Sequence, residues 1–179
     1  MSSIIISNIG QLITNSDQNL GIINDAALVI ENGKVQWVGE NKLAPAADKL
    51  IDADGGVVTP GFVDSHTHAV FAGDRSKDYV ARMAGIKYAT GGIKTTVAAT
   101  RSATLEELKT HTKKLLGKCK SQGTTTIEIK SGYGLDLESE VKILQVAQSF
   151  TEETTFLGAH VIPAEYENNR DGYINLVKG

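Results

Sequence analysis

The chain is poor in cysteine, in histidine and in concentrated charge, and two of these shortages exclude something at once. A single cysteine, Cys119, among 179 residues rules out an intrachain disulfide and suits a reducing, cytoplasmic setting. Lys and Arg number 18 against 21 Asp and Glu, a net charge of −3. No basic cluster stands out, so neither nucleic acid nor an anionic membrane surface is an expected partner. No apolar run approaches the roughly 18–20 residues of a membrane span. The start, MSSIIISNIGQ, lacks the positive charge and small-residue cleavage site of a signal peptide. Neither GxGxxG nor GxxxxGK[ST] occurs, which removes the common nucleotide loops. There is no internal repeat and no low-complexity tract. A hydrophobic fraction of 41% with 22% charged residues describes a soluble globular protein, with enough chain for one domain with a real core or for one domain plus a small appendage.

Against that background the histidines are unevenly spent. Two of the four lie in VDSHTH, as His66 and His68. On a β-strand, residues i and i+2 point to one face, so two imidazoles at a strand end can grip one metal ion. Neutral imidazoles suit zinc or iron. Asp64 is either a solvated strand residue or a group that orients a ligand imidazole.

The first sixty residues read as β-rich. Ser3–Thr14 is strand, turn and more strand. Ala27–Gly39 is a hairpin, with Asn32-Gly33 supplying the positive φ values of a type I′ turn; Gly55-Gly56 then breaks the chain. Beyond His68 the pattern changes. Thr104 and Glu107 form a capping-box pair, followed by Leu105, Leu108, Leu115 and Cys119 at helical spacing up to Gly123. Thr124–Ile129 reads as a strand ending in KSGYG, and Leu137–Phe150 as a helix with Val141, Leu144 and Ala147 inward. Thr155–Val161 reads as a third strand with His160 near its end. The last stretch, from Asp171, reads as the start of a crossover helix.

Alternating strands and helices imply an α/β fold with a parallel sheet. Polar groups follow each strand: His66 and His68, then Lys130 and Tyr133, then His160. Chemistry in such folds gathers at the C-terminal ends of the strands. His111 reads as an ordinary helix residue, Cys119 as core and Trp37 as hairpin packing. Arg75, in a loop seven residues after His68, carries a planar fork suited to a carboxylate. Gly91-Gly92 and the glycines at 132 and 134 allow close backbone approach or positive φ.

The string TPGFVDSHTH resembles the first barrel strand of the amidohydrolase superfamily, in which the two histidines bind a catalytic divalent metal. HTHAVFAGDR (66–75), GGIKTTVAATR (91–101), TTTIEIKSGYGL (124–135) and TFLGAHVIPAEY (155–166) together resemble the imidazolonepropionase family, with Thr90 a departure where a third glycine is expected. The resemblance implies a partial TIM-like (β/α) barrel of the amidohydrolase type, over residues 61–179, with an N-terminal β-sandwich portion over residues 1–60. It implies hydrolysis of 4-imidazolone-5-propanoate to N-formimidoyl-L-glutamate in histidine degradation. It assigns His66 and His68 as metal ligands, Arg75, Tyr133 and His160 as substrate contacts, and His160 also as a catalytic group. A further histidine, an aspartate and a proton-handling glutamate belong to later strands of the family. Two other readings stay open. One is another amidohydrolase, of deaminase or dihydroorotase type, against which the KSGYG and FAGDR blocks argue. The other is a non-catalytic fragment that pairs its open barrel edge with another chain, a homo-oligomer among the outcomes.

Overall fold

The computed structural model describes residues 2–16, 18–85 and 92–179, and Thr90 and Gly91 lie outside these. The chain folds as two units, residues 1–61 and 62–179.

In the first unit, β1 (Ser3–Ile13), β2 (Ile22–Glu31), β3 (Lys34–Glu40), β4 (Lys49–Asp52) and β5 (Val57–Val58) form one sheet in the order β3-β2-β1-β4, with β5 also on β1. β1 runs antiparallel to β2 and parallel to β4 and β5. Asn32 and Gly33 both have positive φ, 52° and 74°, the backbone a two-residue I′ turn requires. The expected turn inside β1 is instead a bulge between Ile6 and Ile9. Asn8, at φ 53°, occupies it. Its side-chain amide donates to Asp52 at 2.8 Å, and its N–H donates to Asn41 Oδ1 at 3.0 Å. An extra residue is thus absorbed without ending the strand. Ile9, Leu12, Ala26 and Leu28 form the core of this unit.

The second unit runs β6 (Phe62–Thr67), α1 (Ser76–Met83), α2 (Ile93–Ser102), α3 (Leu105–Ser121), β7 (Thr124–Lys130), α4 (Leu137–Gln148), β8 (Thr154–Thr155) and α5 (Arg170–Lys178). The strands form a parallel sheet, β6-β7-β8. Helix starts follow local chemistry. Thr104 and Glu107 exchange both hydrogen bonds of a capping box, Asp136 accepts from Ser139 N–H, and Asn169 accepts from Gly172 N–H; each cap stabilises by about 1 kcal/mol. Gly123, at φ 94°, separates α3 from β7. Leu108 of α3 and Ile143, Val146 and Ala147 of α4 bury Ile129 of β7, with Val70 in the same cluster.

Three packing expectations are corrected. Val141 is 44% exposed, because the inward stripe of α4 is Ser139, Glu140, Ile143, Val146 and Ala147, rotated away from it. Leu105 is 37% exposed, and Leu108 and Thr112 carry the buried face of α3. Cys119 is half-buried rather than fully in the core. The third strand is also shorter than expected. β8 holds only Thr154 and Thr155. Beyond it, Leu157 N–H donates to Ser131 Oγ at 3.1 Å and the Gly158 carbonyl accepts from the Tyr173 hydroxyl. Side chains thus take the backbone groups that a strand ladder would use, and the chain leaves the sheet. His160 sits in the resulting turn. Among the described residues no helix is long and apolar enough to cross a membrane.

Candidate active site

β6 and the residue just after it carry the first two candidate groups, His66 and His68. The pairing of β6 with β7 slips between Asp64 and Thr67, a bulge that sets two residues, Ser65 and His66, against one of β7. Thr67 pins the junction, its hydroxyl donating to the Glu128 carbonyl at 2.7 Å. His66 and His68 then stand side by side, ring centroids 5.4 Å apart. Asp64 accepts from the backbone N–H of His66, at 3.4 Å, in the bend that re-aims the strand.

The loop after β7 brings Tyr133 to within 5.1 Å of the His68 ring, centroid to centroid. The turn after β8 lays His160 flat against the same ring, 4.5 Å from His68 with the planes 13° apart. Tyr133 and His160 lie 5.4 Å apart. Three strand ends therefore deliver four of the five sequence-nominated groups to one place. The glycines of KSGYG make this possible. A Cβ on Gly132 would stand 2.9 Å from His160 Nδ1, and one on Gly134 would stand 2.6 Å from the Glu140 nitrogen. The first gives room to the imidazole and the second to the start of α4.

Arg75 lies outside that ring cluster. It precedes α1 and approaches Asp78 at 3.3 Å. It still belongs to the same neighbourhood, because a cleft of about 560 Å³ is lined by Arg75, Phe71, Thr96, His111, Leu115 and Tyr133. His111, read from sequence as an ordinary helix residue, is a wall of this cleft. Its ring meets Phe71 edge-on at 4.9 Å, and its Nε2 is buried with no hydrogen bond.

The electrostatics favour neutral imidazole at the centre. Burial holds His68 below the ordinary imidazole value, and the His160 and His66 rings push the same way against a smaller pull from the Ser131 backbone and Glu128. His160 Nδ1 lies 3.1 Å from the Gly132 carbonyl. A carbonyl only accepts, so Nδ1 carries the proton and Nε2 is left for other work. Beside them, Glu128 gathers Lys130 and the Thr155 hydroxyl. Burial raises the Glu128 pKa, but these two donors outweigh it and hold the carboxyl below its usual range.

The donor set fits a divalent ion in part. Two imidazoles share a strand end, His68 is kept neutral, and its Nδ1 is buried without a hydrogen bond. Among the described residues no three His, Cys, Asp or Glu side chains are arranged to hold a metal. Two imidazoles alone fall short of the three or four protein ligands of a complete site.

Sequence reading missed Glu140, Arg101 and Tyr173, which hold the loops. Glu140 is 3% exposed, and its carboxylate accepts from Gly134 and Leu135 N–H at 2.8 and 2.7 Å. An acid in the first turn of a helix ordinarily reads as solvated. The available signal was spacing, since Glu140 shares a stripe with Ile143 and Ala147 at i+3 and i+7.

A parallel sheet with paired histidines at the end of its first strand and polar groups at the next two is the arrangement of an amidohydrolase-type fold, and the comparisons agree. The amidohydrolase family matches residues 49–102. Solved structures share the fold at low sequence identity. An ochratoxinase of A. niger superposes with a TM-score of 0.54 at 16% identity, over 87% of this chain and 31% of that one. The atrazine chlorohydrolase TrzN of Arthrobacter aurescens, complexed with zinc, gives 0.50 at 16%, over 82% and 33%. More particularly, the chain is related over its whole length to the N-terminal part of the imidazolonepropionases. With that of Salinispora arenicola it shares 54% identity over 182 residues, covering 100% of this chain and 46% of the relative. The chain thus spans about half the length of the curated relatives it matches.

Proposed function

We propose that this chain supplies the N-terminal part of a metal-dependent hydrolase that opens the ring of 4-imidazolone-5-propanoate to give N-formimidoyl-L-glutamate. The observation that carries the reading is the 54% identity with an imidazolonepropionase along the entire chain. The convergence of His66, His68, Tyr133 and His160 supports it. His66 and His68 would hold a divalent ion, zinc or iron, since neutral imidazole suits both. When bound, such an ion supplies Lewis acidity that makes water a competent nucleophile near neutral pH.

The remaining work falls to this chain's own side chains. Arg75, in the wall of the cleft that Tyr133 also lines, pairs its guanidinium with the propanoate tail and so sets which carbonyl faces the histidines. Tyr133 lies between the two ends, lining the cleft with Arg75 and touching His68. His160, its Nδ1 proton held by the Gly132 carbonyl, presents Nε2 toward the reacting carbonyl, where it can receive and return a proton. Burial around His68 strengthens the contacts among His68, Tyr133 and His160 by thinning the water between them.

The test is turnover by the natural full-length polypeptide carrying this sequence. Hydrolysis of 4-imidazolone-5-propanoate, and little of deaminase or dihydroorotase substrates, is the expected result. Preference for one of the latter would overturn the substrate assignment while leaving the fold untouched.

A further inference from the structure

The loop that carries Tyr133 is strained and clamped. Leu135 is a non-glycine residue at φ 59°, a backbone state that persists only where surroundings impose it. Two charged side chains impose it. Glu140, from α4, takes the N–H groups of Gly134 and Leu135. Arg101, from α2, donates through Nε to the Gly134 carbonyl at 2.6 Å. Arg101 is itself held, with Asp136 Oδ2 at 2.8 Å and Glu165 Oε1 at 2.7 Å. Lys142 donates to the carbonyls of Arg101 and Ala103, tying the end of α2 to α4. The same loop reaches His160 through the Gly132 carbonyl and Leu157 through Ser131 Oγ. Neither clamp residue touches the ring cluster.

We propose that Glu140, with Arg101, is a positioning residue for the site: the clamp fixes the loop so that Tyr133 and His160 both pack against His68 and each other. The clamp's catalytic consequence rests on the reading that these three residues form the active site; its geometric consequence does not. Glu140→Ala removes both acceptor contacts. Glu140→Gln keeps an oxygen that can accept both N–H groups, so it separates the hydrogen bonds from the charge. Arg101→Gln loosens the loop from the half-exposed side and keeps the proposal testable if Glu140→Ala does not fold.

Two readouts apply to the full-length protein. The first is the 19F resonance of fluorotyrosine at position 133, assigned with Tyr133→Phe. It should move toward the free-tyrosine position in Glu140→Ala and Arg101→Gln and stay in place in Glu140→Gln. The second is hydrolysis of 4-imidazolone-5-propanoate. Displacement of a positioning group by about 1 Å costs on the order of 100-fold in rate, so kcat/KM should fall by about that factor in Glu140→Ala, with bound metal unchanged, and recover in Glu140→Gln. A folded Glu140→Ala or Arg101→Gln protein with an unmoved Tyr133 resonance would overturn the clamp. So would a Glu140→Gln variant as perturbed as Glu140→Ala. A wild type that does not turn over the substrate overturns the functional reading, and the resonance still decides the clamp.

Discussion

β6 and β7 are neighbours in one parallel sheet, yet they are built for different tasks. β7 lies between β6 and β8 and is packed by α3 and α4, with Ile129 fully buried. β6 has one strand partner among the described residues, and Phe62 and Val63 are 61% and 68% exposed. The well-packed strand holds the structure. The bare one carries His66 and leads into His68. β6 keeps its register through β7, by way of the Thr67–Glu128 bond and the bulge beside it. A site can thus sit on a weakly covered strand when the next strand and its loop fix the geometry.

That contrast is easiest to break by truncating both sides of it. Leu108→Ala removes a fully buried side chain over β7 and should cost about 2–5 kcal/mol, the usual range for a core leucine. Phe62→Ala on β6 should cost within about 0.5 kcal/mol in the 179-residue chain, as for an exposed site. Urea denaturation of both variants measures the difference. Equal costs would mean that β6 is packed as firmly as β7.

A second prediction concerns the cleft. Arg75→Lys keeps the charge but loses the planar fork. Losing one charge-assisted contact, partly open to solvent, should cost about 2 kcal/mol, roughly 30-fold in kcat/KM for the propanoate substrate. An analogue without the carboxylate should be equally poor with both enzymes. Were the mutation to slow both substrates by one factor, Arg75 would not read the carboxylate.

Smaller effects sharpen the framework side. Thr104→Ala removes the capping box of α3 and should lower stability by about 1 kcal/mol, measured by the same denaturation. Tyr173, which donates to the Gly158 carbonyl in the turn leading to His160, has its pKa pushed up to about 12, chiefly by burial. Its folded value thus exceeds its unfolded value of about 10. The folded state then holds a proton that the unfolded state releases. That contribution is complete below about pH 10 and is lost as pH rises through about 12. Wild type should therefore lose stability between about pH 10 and 12, and Tyr173→Phe should lose less over that window. Identical slopes would remove Tyr173 from the account.

Much of this was legible in the sequence where chemistry is local. The Asn32-Gly33 turn and the Thr104–Glu107 box depend on residues close together in the chain, and each is found where its pattern placed it; the His66 and His68 rings do lie 5.4 Å apart, but across a bulge rather than along a regular strand. Elements that depend on distant partners were not legible. The length of β8 was overestimated because its backbone groups are claimed by Ser131 and Tyr173, which no local pattern announces. Val141 was misplaced because the rotation of α4 is set by what it packs against, and Glu140 replaces an apolar residue on the buried stripe. The flat stacking of His160 on His68 follows from a turn, not a strand, and spacing alone could not give it.

The reading that His66 and His68, at the C-terminal end of β6 and just beyond it, supply two donors for a divalent ion is the one on which the function turns. It is tested most directly by elemental analysis of the full-length protein and its His66→Ala/His68→Ala variant, purified under identical conditions. Metal close to one ion per chain in the wild type and background metal in the folded variant is the predicted result. Unchanged metal content in the variant would contradict the assignment.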